Sequence, residues 1–259
     1  MNFTIKEINY YPIKSLSPQR INICRIKKNS GMDNDRIFAF SRGVSPEIAK
    51  LIQEDPKKRK LNNFLTLKNS PMLNKYNFTY SNNKLTLNLK DKELISISTD
   101  DPDQRSLLCE KILELENSLT KPIYLLKNTE FPFFDTSHSN KIFNSISLIN
   151  LNSLNDFEKK INEKVEFQRF RGNFYIDGME PMEERKWIDK VIKINNVSFK
   201  VQRNIPRCVA INLKPRTDDN SLNLLQSLKK TYNNFDMGIY LTALDNGEVN
   251  VGDKIEFSK

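Results

Sequence analysis

Lys84-Leu85-Thr86-Leu87-Asn88-Leu89 sets a leucine at every second position with a polar or charged residue before each one. A period of two marks a strand with one face buried and the other wet. The same texture extends outward from it. Phe3, Ile5, Ile37, Phe38, Phe40 and Leu65 fall in short β-prone runs divided by turn chemistry, and helical periodicity is weak through residues 1–100. Many short strands with few helices imply a barrel or a strongly bent sheet.

The pattern changes at Thr99-Asp100-Asp101-Pro102-Asp103, a polar break and a good helix start. The helix expected after it carries Leu107, Leu108, Ile112, Leu115 and Leu119 on one face. A second helix is expected from about Asn150 to Lys164, with Leu151, Leu154, Phe157 and Ile161 at helical spacing. A third follows Asp218-Asp219-Asn220 and buries Leu222, Leu225, Leu228 and Tyr232. Between and after them lie strand-like runs at Asn173–Ile176, Val191–Ile194, Val197–Val201, Cys208–Leu213, Gly238–Leu241 and Lys254–Phe257, with a tight turn at Asp245-Asn246-Gly247. This divides the chain into an N-terminal β part, 1–100, and a C-terminal β part with peripheral helices, 101–259.

A chain of 259 residues with 38% hydrophobic and 28% charged residues can bury a sizeable core. No apolar run approaches the roughly 20 residues that span a bilayer. The start, with Lys6 and Glu7 among apolar positions, is no secretory signal. Three widely spaced cysteines, at 24, 109 and 208, fit a reducing compartment, and a cytoplasmic location is expected. The formal charge of +9 fits anion binding. Its densest run, Lys57-Lys58-Arg59-Lys60, is short and reads as a solvated loop, so nucleic-acid binding is only an alternative.

Common catalytic signatures are missing. The lone histidine, His138, sits in a polar loop-like stretch, and there is no Cys-x-x-Cys pair for zinc. A plant-type iron–sulfur cluster needs four cysteines, and three exist. Neither a Gly-x-x-x-x-Gly-Lys-Ser/Thr loop nor a Gly-x-Gly-x-x-Gly turn is present. What remains is a series of basic residues at strand ends and turns. In Tyr11-Pro12-Ile13-Lys14-Ser15 the proline ends a strand and aims Lys14 and Ser15 from a turn. Asp35-Arg36 precedes a strand, as does Arg169-Phe170-Arg171-Gly172-Asn173. Asn204-Ile205-Pro206-Arg207-Cys208 reads as the head of another strand, where Arg207 lends the electropositive setting that suits a soft-metal thiolate ligand.

Taken in order, these segments resemble the MOSC family with its N-terminal β-barrel companion, the group of the mitochondrial amidoxime reducing component and its bacterial relatives. The matching pieces are Tyr11–Ser15, Gly31-Met32 with Asp35-Arg36, Phe64-Leu65-Thr66 with Pro71-Met72, Phe170–Asn173, Gly178 with Glu184 and Trp187, Arg207-Cys208, and Gly247 with Val251-Gly252-Asp253. The resemblance implies a β-rich α+β fold, an N-terminal β-barrel-like domain packed on a MOSC β-barrel domain. It implies a molybdenum cofactor (Mo-molybdopterin) held by Cys208 as metal ligand and catalytic residue. Lys14, Ser15 and Arg36 would grip the cofactor phosphate, and Arg171, Asn173 and Arg207 would contact pterin and phosphate. A buried phosphate dianion needs such paired donors. Asn144 and Ser145 match more loosely, and Leu16 stands where relatives often have Cys or Arg.

The function implied is an oxidoreductase acting on N-hydroxylated small molecules. Electrons would come from a separate protein of ferredoxin, flavodoxin or cytochrome b5 type with its reductase, and the working form is expected to be a monomer. The alternative is a carrier that delivers the cofactor, or sulfur as a persulfide on Cys208. Pyridoxal phosphate is sometimes suggested for the family; Lys14 could form the Schiff base, but nothing resembles a ring-nitrogen partner.

Overall fold

The computed structural model describes residues 3–134 and 145–257. The N-terminal half runs through β1 (Phe3–Tyr10), β2 (Gln19–Ile21), β3 (Ile23–Lys27), β4 (Gly31–Met32) and β5 (Phe38–Phe40). It continues with α1 (Pro46–Glu54), the meander β6 (Tyr76–Ser81), β7 (Lys84–Leu89) and β8 (Lys92–Ser98), and then α2 (Pro102–Leu115). Strand β9 (Leu125–Lys127) pairs with β5, and the C-terminal half then holds β10 (Ile146–Asn150), α3 (Leu151–Ile161), β11 (Phe174–Asp177), β12 (Val191–Ile194) and β13 (Val197–Pro206). It ends with α4 (Leu224–Tyr232), β14 (Asp236–Ala243), β15 (Gly247–Asn250) and β16 (Lys254–Phe257).

Seven strands close a barrel in the order β11-β10-β14-β13-β12-β16-β1, because β1 also pairs with β11. That last pairing sets Thr4 opposite Asp177 and Ile8 opposite Phe174. Closure leaves no open edge in the ring, and β2 continues outward from β1. The interior is filled by Ile5, Leu148, Phe174, Ile176, Ile192, Phe199, Val201, Ile239 and Leu241. A second core in the N-terminal half gathers Phe38, Phe40, Phe78, Leu85, Leu87, Leu108 and Ile112. Leu16 is buried there too, inside the packing rather than at a cleft.

Alternation builds β7, whose Leu85 and Leu87 are buried against the polar residues between them. Side-chain caps fix the helix starts. Asp101 accepts from the Asp103 and Gln104 amides, Asn150 from Asn152, and Asn223 from Gln226. Helix α4 therefore begins later than Asp218-Asp219-Asn220 suggests, and Leu119 lies beyond the end of α2. Leu107 is 52% exposed, so the buried face of α2 is carried by Leu108, Cys109 and Ile112.

The structure also adds one helix and corrects one expected strand. Helix α1 is not among the helices expected above, although Ser45-Pro46 supplies a cap and a first-turn proline. Cys208–Leu213 is not a strand: β13 ends at Pro206, and Val209–Asn212 forms a 3₁₀ turn in which the Ile211 amide donates to the Cys208 carbonyl at 3.2 Å. Cys208 therefore follows a strand instead of heading one. Pro206 has no amide proton to continue the ladder, and irregular register between Asn204 and Pro206 already turns the chain out of the sheet.

Candidate functional site

Ser147, Tyr240 and Arg203 are register partners across β10, β14 and β13, so their side chains form a row on the outer face of the barrel. Their inward neighbours Leu148, Ile239 and Leu241 belong to the barrel core. Irregular register between Val201 and Arg203 re-aims Arg203, whose guanidinium carbon stands 5.6 Å from the Tyr240 ring centroid. Two residues away from Tyr240, on the same face of β14, Gly238 has φ +81°; a Cβ there would come within 2.5 Å of the Leu148 carbonyl. The missing side chain leaves space for Arg207, which donates through Nε to the Met237 carbonyl at 2.8 Å and through Nη1 to the Phe170 carbonyl at 2.7 Å.

Tyr11 faces this surface from the N-terminal half. Its buried ring lies 4.9 Å from the Arg36 guanidinium carbon and 4.4 Å from that of Arg171. Its hydroxyl donates to the Gly172 carbonyl at 3.2 Å, and burial pushes its pKa up to about 12. Burial acts on the guanidinium groups of Arg171 and Arg207 in the other direction, lowering their pKa from the usual arginine range. Among the described residues, no oxygen accepts a hydrogen bond from the Arg171 guanidinium.

Behind the arginines lies Asp35, fully buried. It accepts from the Tyr11 amide at 2.8 Å, from Asn173 Nδ2 at 3.2 Å and from Arg36. Burial raises its pKa, and the Arg36 charge opposes that shift. Asn173 uses its amide fully: Nδ2 also donates to the Asn9 carbonyl at 3.0 Å, while Oδ1 accepts from the Ser147 hydroxyl at 2.8 Å and the Ser147 amide at 3.1 Å. This buried network joins β1, the Asp35 turn, β10 and the start of β11.

Two adjoining cavities occupy the junction. The larger, of about 190 Å³, is lined by Ser145, Asn173, Arg207 and the outer row of the barrel. The smaller, of about 150 Å³, is lined by Lys14, Ser15, Leu61 and Thr66. Arg36, Lys68, Arg171, Cys208 and Ala210 line both. The junction thus brings together every sequence-predicted site residue that the structure describes, with the partly exposed thiol of Cys208 between the two spaces. Asn144 and His138 lie outside the described residues.

Seven cations, Lys14, Arg36, Lys68, Arg169, Arg171, Arg203 and Arg207, line these cavities, and among the described residues no carboxylate does. Such a space favours a ligand with concentrated negative charge. Lys14 is nearly buried, and its Nζ donates to the Phe133 carbonyl at 3.3 Å. Ser15, Arg36 and Arg171 all hold left-handed backbone, with φ of 65°, 58° and 51°. Three non-glycine residues in that region at one site mark imposed geometry of the kind that accompanies function.

Among the described residues no group of three or more His, Cys, Asp or Glu could hold a metal ion. A lone thiol fits a metal that arrives with its own sulfur ligands, and the cations fit the phosphate such a cofactor would carry. Cys24 and Cys109 stand apart, with burial pushing both thiols up to about 12. Glu184, one of the motif residues, is buried away from the cavities, accepting from Asn150 at 3.1 Å and the Ser153 hydroxyl at 3.0 Å. The sequence reading missed Lys68, Arg203, Tyr240 and the stacking role of Tyr11. Tyr11 lay within a quoted motif; the rest depend on cross-strand register and loop placement.

Comparisons with known proteins cover most of the chain. The MOSC N-terminal beta barrel domain matches residues 2–119 and the MOSC domain matches residues 135–256. Mitochondrial amidoxime reducing component 2 of Rattus norvegicus is 28% identical over 158 residues, covering 55% of this chain and 44% of that protein. The match thus spans less than half the length of that relative. Among solved structures, the YuaD protein from Bacillus subtilis aligns over 98% of this chain and 94% of its own, at 10% identity and a TM-score of 0.46. YiiM from Escherichia coli covers 44% of this chain and 54% of its own, at 13% identity and a TM-score of 0.36.

Proposed function

The chain belongs to the MOSC family in its two-part form, and on that premise we propose that it binds a molybdenum–pterin cofactor and reduces N-hydroxylated small molecules. The observation that carries this reading is the placement of one partly exposed thiol, Cys208, between two cavities ringed by cations and free of carboxylates among the described residues. Cys208 would be the protein's sulfur ligand to the metal. Lys14, Ser15 and Arg36 would hold the phosphate, with Lys14 as a point charge and Arg36 as a planar fork pinned by Asp35. Arg171 and Arg207 would flank the pterin. Asn173 would act by position, since its amide is committed to Asn9, Asp35 and Ser147. Ser145 lines the wall nearby.

When bound, the group supplies a two-electron couple; the chain orients it and limits solvent access. Electrons would come from a separate protein of ferredoxin, flavodoxin or cytochrome b5 type. The test is reduction of N-hydroxybenzamidine by cofactor-loaded protein with a chemical electron donor. Turnover that follows cofactor content supports the reading. A loaded protein that turns nothing over, yet hands its cofactor or a persulfide sulfur to an acceptor, would favour the carrier alternative, to which the partial exposure of Cys208 is suited.

A further inference from the structure

A third cavity, of about 330 Å³, adjoins the other two and shares Arg171 and Ala210 with both. Its inner end is Arg171, its flanks include Leu67, Leu213 and Pro215, and its outer part carries the exposed side chains of Lys214 and Arg216. Glu166 is the one acid among the described residues that line it. That carboxylate is already engaged, accepting from Arg169 Nε at 2.6 Å with Lys214 Nζ at 3.9 Å. Neither Arg171 nor Arg216 makes a hydrogen bond or ion pair through its guanidinium among the described residues. Both hold left-handed backbone, at φ 51° and 60°.

The outer turn is clamped. Asn74 from the N-terminal half donates to the Lys214 carbonyl at 2.8 Å and the Thr217 carbonyl at 2.7 Å, and the Lys214 amide donates to the Asp219 carbonyl at 2.8 Å. A cationic end on a fixed turn, an apolar middle and an inner end beside the Cys208 cavities form a graded pocket.

We infer that this cavity is the substrate pocket and that it selects small molecules with an apolar body and a carboxylate at the end away from the reacting group. The inference rests on the reductase reading for its chemistry. The apolar body would lie against Leu67 and Leu213, with the carboxylate taken by Arg216 and Lys214 at the mouth.

Two measurements on the cofactor-loaded protein test it. KM for 4-carboxy-N-hydroxybenzamidine should be about tenfold lower than for N-hydroxybenzamidine, the size of one charge-assisted hydrogen bond. In Arg216→Ala that ratio should fall toward one; equal KM values in the unaltered protein would overturn the inference. Saturation-transfer NMR of 4-methylbenzoate against neutral 4-methylbenzamide reads the pocket without turnover. Saturable benzoate binding that Arg216→Ala removes supports the pocket even where neither hydroxylated compound is reduced, in which case the reductase reading fails alone. Equal binding of benzoate and benzamide overturns the pocket whatever the turnover.

Discussion

The guanidinium carbon of Arg171 lies 4.4 Å from the ring centroid of Tyr11, joining the turn three residues before β11 to the residue after β1. Arg36 approaches the same ring at 4.9 Å. One buried aromatic therefore faces two cations that would otherwise repel each other across the cavity. Each such contact contributes about 0.5–2 kcal/mol. Tyr11→Leu should lower unfolding free energy by about 2–4 kcal/mol once lost packing is included. Tyr11→Phe, which loses only the hydroxyl donated to Gly172, should lower it by about 1 kcal/mol. Urea denaturation separates them; equal losses would show that the ring does not do this.

Lys14 offers a narrower test of the phosphate seat. Millimolar inorganic phosphate should raise the melting temperature of cofactor-free protein, because only the folded state binds it. In Lys14→Met, which keeps the aliphatic stem and drops the charge, the shift should shrink by at least half. Added sodium chloride should weaken it in the unaltered protein. An undiminished shift in the variant would put the anion somewhere else.

Gly238 is a position where one methyl group should matter. Its left-handed φ and the Leu148 carbonyl 2.5 Å from any Cβ oppose a side chain independently. Gly238→Ala should cost about 2–4 kcal/mol and loosen Arg207, whose Nη2 stands 3.3 Å from the same point. Denaturation reads the first effect. A methyl tolerated within 0.5 kcal/mol, the usual range for an innocuous surface change, would contradict the packing described.

Glu184 gives a pH signature. Burial holds its pKa above the ordinary 4.5, against the Asn150 and Ser153 donors. A carboxyl raised on folding adds stability that is complete below about 4.5 and is lost as pH rises through its folded value. The melting temperature of Glu184→Gln, minus that of the unaltered protein, should therefore grow as pH climbs from 4.5 toward neutrality. A difference that stays level or narrows would mean the carboxylate is well accommodated when ionised.

Local features of the fold were legible and long-range ones were not. Alternation at Leu85 and Leu87 and the cap at Asp101 act within a few residues, so they can be read in order along the chain. Barrel closure joins Ile8 to Phe174, a pairing no local pattern encodes. Helix α1 escaped notice because only Ala49 and Ile52 are buried on it, too few to show a period. The segment after Pro206 read as a strand from its apolar residues, although the proline and irregular register end β13 there. The site divides similarly. Lys14, Ser15, Arg36, Arg171, Asn173, Arg207 and Cys208 stand in short contiguous motifs. Arg203 and Tyr240 meet only through register, and Lys68 arrives on a loop.

The thiol itself remains the sharpest point of attack. Molybdenum analysis of protein purified from cofactor-producing cells should find metal with the unaltered chain and little or none with Cys208→Ala, while the two melt alike without cofactor. Equal molybdenum in both would contradict the assignment of Cys208 as the metal's ligand.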